Sequence, residues 1–255
     1  MIQNRDNKRF RQWSRFVEKP QGPDCPWLCA EGWKLVEDLS QDHQIELLLF
    51  SKSLAQNPNG RLEHLRRRSR ESVCLSEALL KSLSSVETPQ GVVAFFGKPA
   101  WSWDDIGPYL LYAHEIQDPG NLGTLLRTAA ATGLFGLVAS PGTVSCFNAK
   151  VVRASAGAIL RVPFLQGIDW TQLKSRGVCL WLATPRRGQS LFQAQFQPPL
   201  AVVIGSEGSG ADNALLEEAD KLLQIPMKAQ AESLNAGVAG AVILYEIYRQ
   251  QDIHG

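Results

Sequence analysis

An amide, a glycine and a guanidinium stand close together in the stretch 117–133, which reads QDPGNLGTLLRTAAATG. Asn121, Gly123 and Arg127 fall at offsets 0, 2 and 6 of a segment that is otherwise mostly small and apolar. The Asp-Pro start and the small apolar body predict a helix that begins at the turn. Ordinary core packing does not require these three groups. They are therefore candidates for binding a substrate or stabilising charge during a reaction.

A second polar segment, VVIGSEGSG (202–210), ends an apolar run with Gly205, Glu207 and Gly208. Glycines let a backbone approach a ligand closely, although they also form simple tight turns. Neither a Walker A motif nor the G-x-G-x-x-G fingerprint is present. Because Glu207 would repel a phosphate, a ligand with a cationic centre fits this segment better.

The third segment is IPMKAQAESLNAGVAGAVILYE (225–246). Ser233 is predicted to cap a helix that begins there. Gly237 and Gly240 give this helix a face that another helix can approach closely, and its almost wholly apolar composition predicts burial on several sides. Contact with a partner subunit and packing in the chain's own core both explain this pattern.

Continuous apolar runs separate the polar segments and are typical of parallel strands covered on both faces. Helix-like segments lie between runs, and the runs themselves are GLVAS (136–140), VCLWLAT (178–184), AVVIGS (201–206) and LLQIPM (222–227). Ligands of open α/β sheets bind at the carboxyl ends of the strands. The sequence thus predicts a site at that edge, where the polar segments fall.

The chain is long enough for two domains, since it has 255 residues. Short strands and helices alternate from about residue 27 to Phe96, which indicates a small α/β unit. The stretch GKPAWSWDDIGP breaks both periods. We therefore predict an N-terminal domain over 1–96, a linker over 97–108 and a second domain over 109–255.

Positive charge is concentrated near the N-terminus. The net charge is +1, but residues 1–100 carry 15 Lys and Arg against 12 Asp and Glu, most of the excess lying at 4–15 and 61–70. Arginines alternate with Phe10, Trp13 and Phe16, which favours a surface that neutralises RNA phosphates and stacks on bases. A solvated charged face is the alternative.

Composition excludes several classes of protein. Apolar residues make up 44% and charged residues 20%, as in a globular protein. Five cysteines without a C-x-x-C pair, and no histidine cluster, predict neither a disulfide framework nor a metal site. No apolar run reaches about 18 residues and no secretion signal follows Met1. We therefore expect a soluble cytoplasmic protein with no membrane partner.

Taken together, the three ordered segments resemble those of the SpoU-type (TrmH-like) RNA ribose 2′-O-methyltransferases of the SPOUT superfamily. The matching residues are Asn121, Gly123 and Arg127, then Gly205, Glu207 and Gly208, then Ile225, Pro226 and Met227 with Ser233, Leu234 and Asn235. VVRASAGAI (151–159) is similar to the segment between motifs, and CAEGWKLVEDL and ETPQGVVAFF resemble the family's N-terminal RNA-binding domain. The chain departs from the pattern at Ala229, where family members usually have glycine.

The resemblance implies an α/β fold whose C-terminal parallel-sheet SPOUT domain contains a deep trefoil knot, an exception to the usual avoidance of knots. It also implies S-adenosylmethionine as cofactor, RNA as substrate and a homodimer as the active unit. Residues implied to hold the cofactor are Thr184, Gly205, Ile225 and Leu234. Residues implied to serve catalysis are Asn121, Arg127, Glu207, Ser233 and Asn235.

The family's arginine is proposed to take the proton of the ribose hydroxyl, yet arginine is effectively always protonated in proteins. Anchoring a phosphate or stabilising the developing alkoxide also suits the guanidinium of Arg127. The sequence does not choose between tRNA and rRNA.

Two other functions compete with this interpretation. A catalytically silent RNA-binding protein of the same fold would be favoured if Asn121, Arg127 or Asn235 were absent, and all three are present. A nucleotide-binding Rossmann enzyme needs a glycine fingerprint after the first strand of the sheet. The corresponding stretch, EIQDPGNLG, lacks it.

Overall fold

The chain forms two compact units in the computed structural model, which describes residues 1–22, 24–57, 60–206, 213–228 and 232–252. Unit 1 comprises Met1–Pro99 and Phe147–Leu160, and unit 2 comprises Ala100–Cys146 and Arg161–Gly255. The chain therefore passes between the units at three places. Residues 147–160, which the sequence analysis assigned to the second domain, make their contacts within unit 1.

Unit 1 is an α/β unit built on four strands. In chain order its elements are α1 (Lys8–Glu18), β1 (Trp27–Glu31), α2 (Trp33–Asp42), β2 (Ile45–Ser51), α3 (Lys52–Gln56), α4 (Gly60–Arg67), β3 (Ser69–Leu75), α5 (Glu77–Leu83) and β4 (Val92–Gly97). The strand order is β1-β4-β2-β3, with β4 antiparallel to both neighbours and β3 parallel to β2.

The helix α1 carries the N-terminal arginines. Asn7 begins the helix, because its side-chain oxygen accepts hydrogen bonds from the backbone N–H of Arg9 at 3.0 Å and Phe10 at 3.3 Å. Phe10, Trp13 and Phe16 lie on one face and are buried in the unit 1 core, with at most 8% of any of them exposed. The prediction that these aromatic rings stack on RNA bases is therefore wrong, because the core already covers them.

Unit 2 contains a seven-stranded sheet. Its first elements are β5 (Tyr109–Ala113), α6 (Pro119–Thr132) and β6 (Gly136–Ala139). The chain then enters unit 1, where it forms α7 (Ala149–Ala154). After its return to unit 2 it forms β7 (Phe164–Gln166), α8 (Trp170–Lys174), β8 (Cys179–Ala183), β9 (Gln189–Ser190), β10 (Leu200–Ile204), α9 (Asn213–Glu218), β11 (Lys221–Gln224) and α10 (Ala236–Asp252). Three short 3-10 helices cover Trp103–Asp105, Ala158–Leu160 and Leu191–Gln193.

Every strand pair of this sheet is parallel, in the order β7-β6-β5-β10-β8-β11-β9. The predicted parallel sheet is confirmed, and the four apolar runs coincide with β6, β8, β10 and β11 within one to three residues at each end. β7 and β9 were not predicted, because segments of three and two residues are too short to show a periodic pattern.

The opening stretch 117–133 forms α6, as predicted. The Asp118 side chain accepts a hydrogen bond from the backbone N–H of Asn121 at 2.8 Å, and Pro119 occupies the first turn, where it costs no hydrogen bond. Gly133 ends the helix with a φ of 64°, a conformation that glycine adopts without strain. These caps fix where Asn121 and Arg127 lie along the helix.

The glycine face of α10 packs against α6 of the same chain. A Cβ atom on Gly240 would lie 2.2 Å from Cδ2 of Leu125, and one on Gly237 would lie 3.1 Å from Cβ of Thr124. Of the two explanations for these glycines, packing within the chain is therefore the one observed. Only a residue without a side chain lets the two helices approach this closely.

All five thiols are free. Burial raises the pKa of Cys29 and of Cys146 to about 12, so both stay protonated and unreactive at neutral pH. Among the described residues, no cluster of His, Cys, Asp and Glu side chains could hold a metal ion. Within the same part of the chain, none of the helices has the length and apolar character needed to cross a membrane.

Candidate functional site

A cavity of about 850 Å³ lies in unit 2 at the carboxyl ends of β8, β10 and β11. Its lining comes from three stretches that follow these strands and from the start of α10. The lining residues are Leu182, Ala183, Thr184, Pro185, Arg186, Arg187, Ile204, Gly205, Ser206, Leu216, Leu223, Ile225, Met227, Glu232, Ser233, Leu234, Asn235, Ala236 and Ala239.

The structure brings the four predicted cofactor-binding residues together in this cavity. Thr184, Gly205 and Ile225 each follow directly after one of the three strands, and Leu234 precedes α10. Since β10, β8 and β11 are parallel neighbours, their carboxyl ends meet at one edge, where open α/β sheets bind ligands. Backbone groups from three different strand ends thus face the same space.

Ser233 and Asn235 also line the cavity, but the helix cap predicted at Ser233 lies at Asn235. The helix α10 begins at Ala236 rather than near Ser233, and the Asn235 side chain accepts a hydrogen bond from the backbone N–H of Val238 at 3.2 Å. The predicted cap at Ser233 is therefore wrong, because Asn235 holds the position next to the helix from which a side chain reaches an unpaired N–H. Ser233 is exposed at the cavity.

Asn121 and Arg127 do not line the cavity. Asn121 is buried in the first turn of α6, beside Gly237 of α10, whose Cβ position lies 3.2 Å from its Oδ1. Arg127 is exposed two turns further along α6, and it forms no ion pair within the described part of the chain. Glu207 and Ala229 lie outside the described residues.

Beyond Thr184, the sequence analysis missed the residues after β8, which contribute Arg186 and Arg187 to the cavity wall. The Thr184 hydroxyl accepts a hydrogen bond from the N–H of Arg187 at 3.2 Å and donates one to the Arg187 carbonyl. Gly188 has a φ of 104°, and a Cβ there would lie 2.3 Å from the Leu222 carbonyl group. The sequence contains a signal for these residues. Two arginines and a glycine follow the predicted strand 178–184, just as polar residues and glycines follow the other predicted strands.

The cavity suits S-adenosylmethionine in size and in lining. Sites for ligands of this size commonly measure about 300–1,000 Å³ and are mostly apolar with a few placed polar groups. Here the apolar wall is given by Leu182, Leu216, Leu223, Ile225 and Met227. Ser233 and Asn235 provide polar side chains, and the strand ends provide backbone donors and acceptors.

Two known protein families match separate parts of the chain. Residues 108–245 match the SpoU rRNA Methylase family, and residues 7–94 match the MRM3-like substrate binding domain. The first match alone covers more than half of the chain. The chain belongs to the SpoU rRNA methylase family.

One curated relative and two solved structures match this SpoU protein over nearly their whole length. The 23S rRNA (guanosine(2553)-2′-O)-methyltransferase RlmP of Bacillus subtilis is 30% identical, over 96% of this chain and 98% of its own. The SpoU methyltransferase AviRb of Streptomyces viridochromogenes, solved in complex with the cofactor AdoMet, has a TM-score of 0.81 at 26% identity, covering 96% and 98% of the two chains. A structure described as an RNA 2′-O ribose methyltransferase has a TM-score of 0.78 at 28% identity, over 98% of both chains.

Proposed function

We propose that the protein transfers a methyl group from S-adenosylmethionine to a ribose 2′-hydroxyl of RNA. The observation that carries this proposal is the cavity at the ends of β8, β10 and β11, in a chain that belongs to the SpoU family. Thr184, Gly205, Ile225 and Leu234 would hold the cofactor, mainly through their backbone groups. The bound cofactor would supply a methyl group on a positively charged sulfur.

Residues other than those that hold the cofactor position the acceptor. Methyl transfer to a hydroxyl is an in-line displacement, so alignment of the hydroxyl lowers much of the barrier. Ser233 and Asn235 line the cavity and can hydrogen-bond the acceptor ribose, and we assign the same role to Asn121 and Glu207 by their place in the motifs.

Arg127 does not line the cavity of its own chain, so we assign it to the RNA acceptor rather than to the cofactor. A guanidinium there stabilises the alkoxide that forms as the hydroxyl loses its proton, or anchors the adjacent phosphate. Because arginine keeps its proton, we favour these electrostatic roles over that of a general base.

We also propose that unit 2 contains the trefoil knot of the SPOUT proteins. The stretch after β8 presses on the Leu222 backbone so closely that only glycine fits at position 188. Gly188 directly precedes β9, which pairs in parallel with β11, so this close approach belongs to the sheet, and the proposal of a knot rests on membership of the SpoU family.

The division of labour that we propose follows the predicted domains. Residues 1–96 bind the RNA substrate, 97–108 link the domains, and 109–255 carry catalysis in the cytoplasm. Because RlmP, which matches over almost its whole length, is named for 23S rRNA, we take rRNA as the first substrate to test. tRNA is the second.

RNA binding by unit 1 is supported by the outward face of α1. Three arginines and one carboxylate line a cavity of about 450 Å³, whose residues are Arg5, Phe10, Arg11, Ser14, Arg15, Glu18 and Ser82. Arg11 is paired with Asp6, whereas Arg5 and Arg15 form no ion pair within the described residues. Two unneutralised guanidiniums beside a concave surface are suited to phosphate contacts.

Replacing Arg5 and Arg15 together with alanine is expected to weaken RNA binding and its dependence on salt. Each lost phosphate contact lowers the slope of log affinity against log salt by about 0.7 to 0.9, so the slope falls by roughly 1.4 to 1.8. Titrations at several salt concentrations measure it. Arg61→Ala is the control, because Arg61 already pairs with Glu37 through two hydrogen bonds of 2.6 Å. Equal slopes for all three proteins would exclude this surface.

We propose a homodimer in which α10 forms part of the interface. Val238 is 48% exposed and Tyr245 is 51% exposed. The two residues lie two turns apart on the same side of α10, the side that faces away from α6. Exposed apolar stripes of this kind are typical of helix contacts between subunits. The glycine face of α10 is already used inside the chain, so the dimer must use this opposite face.

The unmodified protein is expected to have twice the chain mass of 28.1 kDa in light scattering at micromolar concentration. Val238→Glu combined with Tyr245→Glu should give a folded monomer, because two charges would be buried without partners in the interface. Gln172→Glu is the control, since Gln172 is exposed on α8, away from α10. A monomeric unmodified protein would contradict the homodimer.

To test the proposed activity, the protein is incubated with labelled S-adenosylmethionine and with total RNA from cells that lack this protein. The labelled position in the RNA is then mapped. A 2′-O-methylated ribose at one position is the expected result. RNA binding without cofactor binding or transfer would support the competing function, a catalytically silent RNA-binding protein.

A further inference from the structure

Two arginines on the wall of the cofactor cavity have no role in the function proposed so far. Arg186 and Arg187 both line the cavity, and both are exposed. Neither forms an ion pair within the described part of the chain, whereas Arg61 and Arg249 are paired with carboxylates. The charges of Arg186 and Arg187 are therefore available to a ligand.

The backbone that carries the pair is held in place. Thr184 and Arg187 exchange two hydrogen bonds, one in each direction, which close a short turn. Directly after it, Gly188 packs against the Leu222 backbone without room for a side chain. A fixed backbone lowers the entropy that two long side chains lose when they bind a ligand.

The charge of the cavity wall after β8 favours an anion over the cofactor alone. Among the described lining residues, Arg186 and Arg187 are positive and Glu232 is negative, so the wall next to β8 carries two adjacent guanidiniums. S-adenosylmethionine carries a sulfonium and an ammonium against one carboxylate, so it is a net cation. Two arginines beside a net cation do not attract it, so the cofactor alone does not explain why both are present.

The acceptor brings an anion to the same place. The 2′-hydroxyl of a ribose lies one carbon away from the carbon that bears the 3′-phosphate, so a ribose aligned with the methyl group carries a phosphodiester beside the cavity. A guanidinium binds phosphate oxygens through two parallel hydrogen bonds, and it does so best where water is partly excluded.

We propose that Arg186 and Arg187 form a clamp for the RNA phosphates that flank the methylated ribose. This inference rests on the proposed function, and it places an RNA contact in unit 2 as well as in unit 1. The carboxylate of the cofactor offers the same anionic oxygens, and the experiment below separates the two sources.

The test compares four full-length proteins: the unmodified chain, Arg186→Ala/Arg187→Ala, Arg186→Lys/Arg187→Lys, and Arg176→Ala as control. Arg176 is an exposed arginine of unit 2 that stacks on Trp103 and does not line the cavity. RNA affinity is titrated at several salt concentrations, and calorimetry gives the affinity for S-adenosylmethionine.

The double alanine protein is expected to lose about 1.4 from the salt slope on single-stranded RNA, since each contact contributes about 0.7. Its affinity for S-adenosylmethionine should be unchanged. The double lysine protein should keep most of the slope, because the charges remain, and the Arg176→Ala protein should keep all of it.

An unchanged slope in the double alanine protein, or an equal loss in Arg176→Ala, would overturn the clamp. Loss of cofactor affinity with an unchanged slope would also overturn it and assign the pair to the cofactor carboxylate. Failure of the unmodified protein to bind S-adenosylmethionine or methylate RNA would instead overturn the proposed function.

Discussion

Replacing Gly205 with valine is expected to abolish binding of S-adenosylmethionine while the chain still folds. Gly205 lies at the carboxyl end of β10, between the ends of β5 and β8 in the sheet, and it lines the cavity. A valine side chain there would occupy the space through which the ligand reaches the backbone, and a cofactor held mainly by backbone groups has no alternative partners. Calorimetry should show no heat of binding.

Gly107→Val is the matched control for this substitution. A Cβ atom at Gly107 would meet nothing within 4 Å, and the residue does not line the cavity. The control should bind the cofactor as the unmodified chain does. Circular dichroism and thermal unfolding should be alike for the three proteins. Unchanged affinity in the Gly205→Val protein would remove the cofactor assignment.

The edge of the sheet that carries the cavity was predictable from the sequence because its signals are local and repeated. Apolar runs without alternation specify buried parallel strands, and each run ends in residues that do not continue it. Thr184, Gly205 and Ile225 occupy such ends. Parallel strands of one sheet end at the same edge, so these residues must share that edge. Only the order of the strands, which decides which ends are neighbours, depends on long-range contacts.

The role of the N-terminal aromatic residues was not predictable in the same way. Phe10, Trp13 and Phe16 recur at intervals of three residues, which is the pattern of a buried helix face. Arginines between aromatic rings are also the pattern of an RNA-binding surface, and composition cannot distinguish the two. Only the packing of α1 on the unit 1 core decides that the rings are covered and the arginines are on the outer face, where Arg9 and Arg11 pair with Glu71 and Asp6.

The glycines of α10 illustrate the same limit. A face of small residues predicts a close helix contact but not the identity of the helix. The structure identifies α6 of the same chain, through Leu125. A bulky residue at Gly240 would therefore test folding rather than dimerisation, and the exposed Val238 and Tyr245 are the better positions.

The contacts of residues 147–160 also depend on tertiary structure. The segment lies in sequence between strands of unit 2, yet α7 packs against β1, and Arg153 donates a hydrogen bond to Ser85 at 2.6 Å. A fragment that begins near residue 104 would keep α7 and lose the surface on which it packs. Substitutions of single charges in the full chain are therefore cleaner tests of RNA binding than truncation.

Replacing Arg127 with alanine is expected to lower the rate of methyl transfer by about 10²-fold or more, on the scale of one lost electrostatic or proton-transfer group. Arg127 is exposed on α6 and has no ion-pair partner within the described residues, so its removal costs the fold little. It does not line the cavity, so affinity for S-adenosylmethionine should be nearly unchanged. The loss should appear in single-turnover rates.

Arg127→Lys distinguishes the roles open to this side chain. A lysine keeps the charge but presents a single ammonium instead of a planar fork, so it cannot reproduce bidentate contact with a phosphate or a developing alkoxide. We expect it to restore little of the rate. Arg176→Ala controls for the loss of one positive charge from unit 2 and should methylate normally.

A pH profile of the single-turnover rate adds a readout that a merely structural role of Arg127 would not change. If Arg127 stabilises the alkoxide, the reaction of the alanine protein should become more dependent on hydroxide, because ionisation of the ribose hydroxyl is no longer assisted. The rate deficit should then shrink as the pH rises. A deficit that is the same at every pH would exclude stabilisation of the alkoxide, and near-normal transfer by the alanine protein at all pH values would refute its catalytic role.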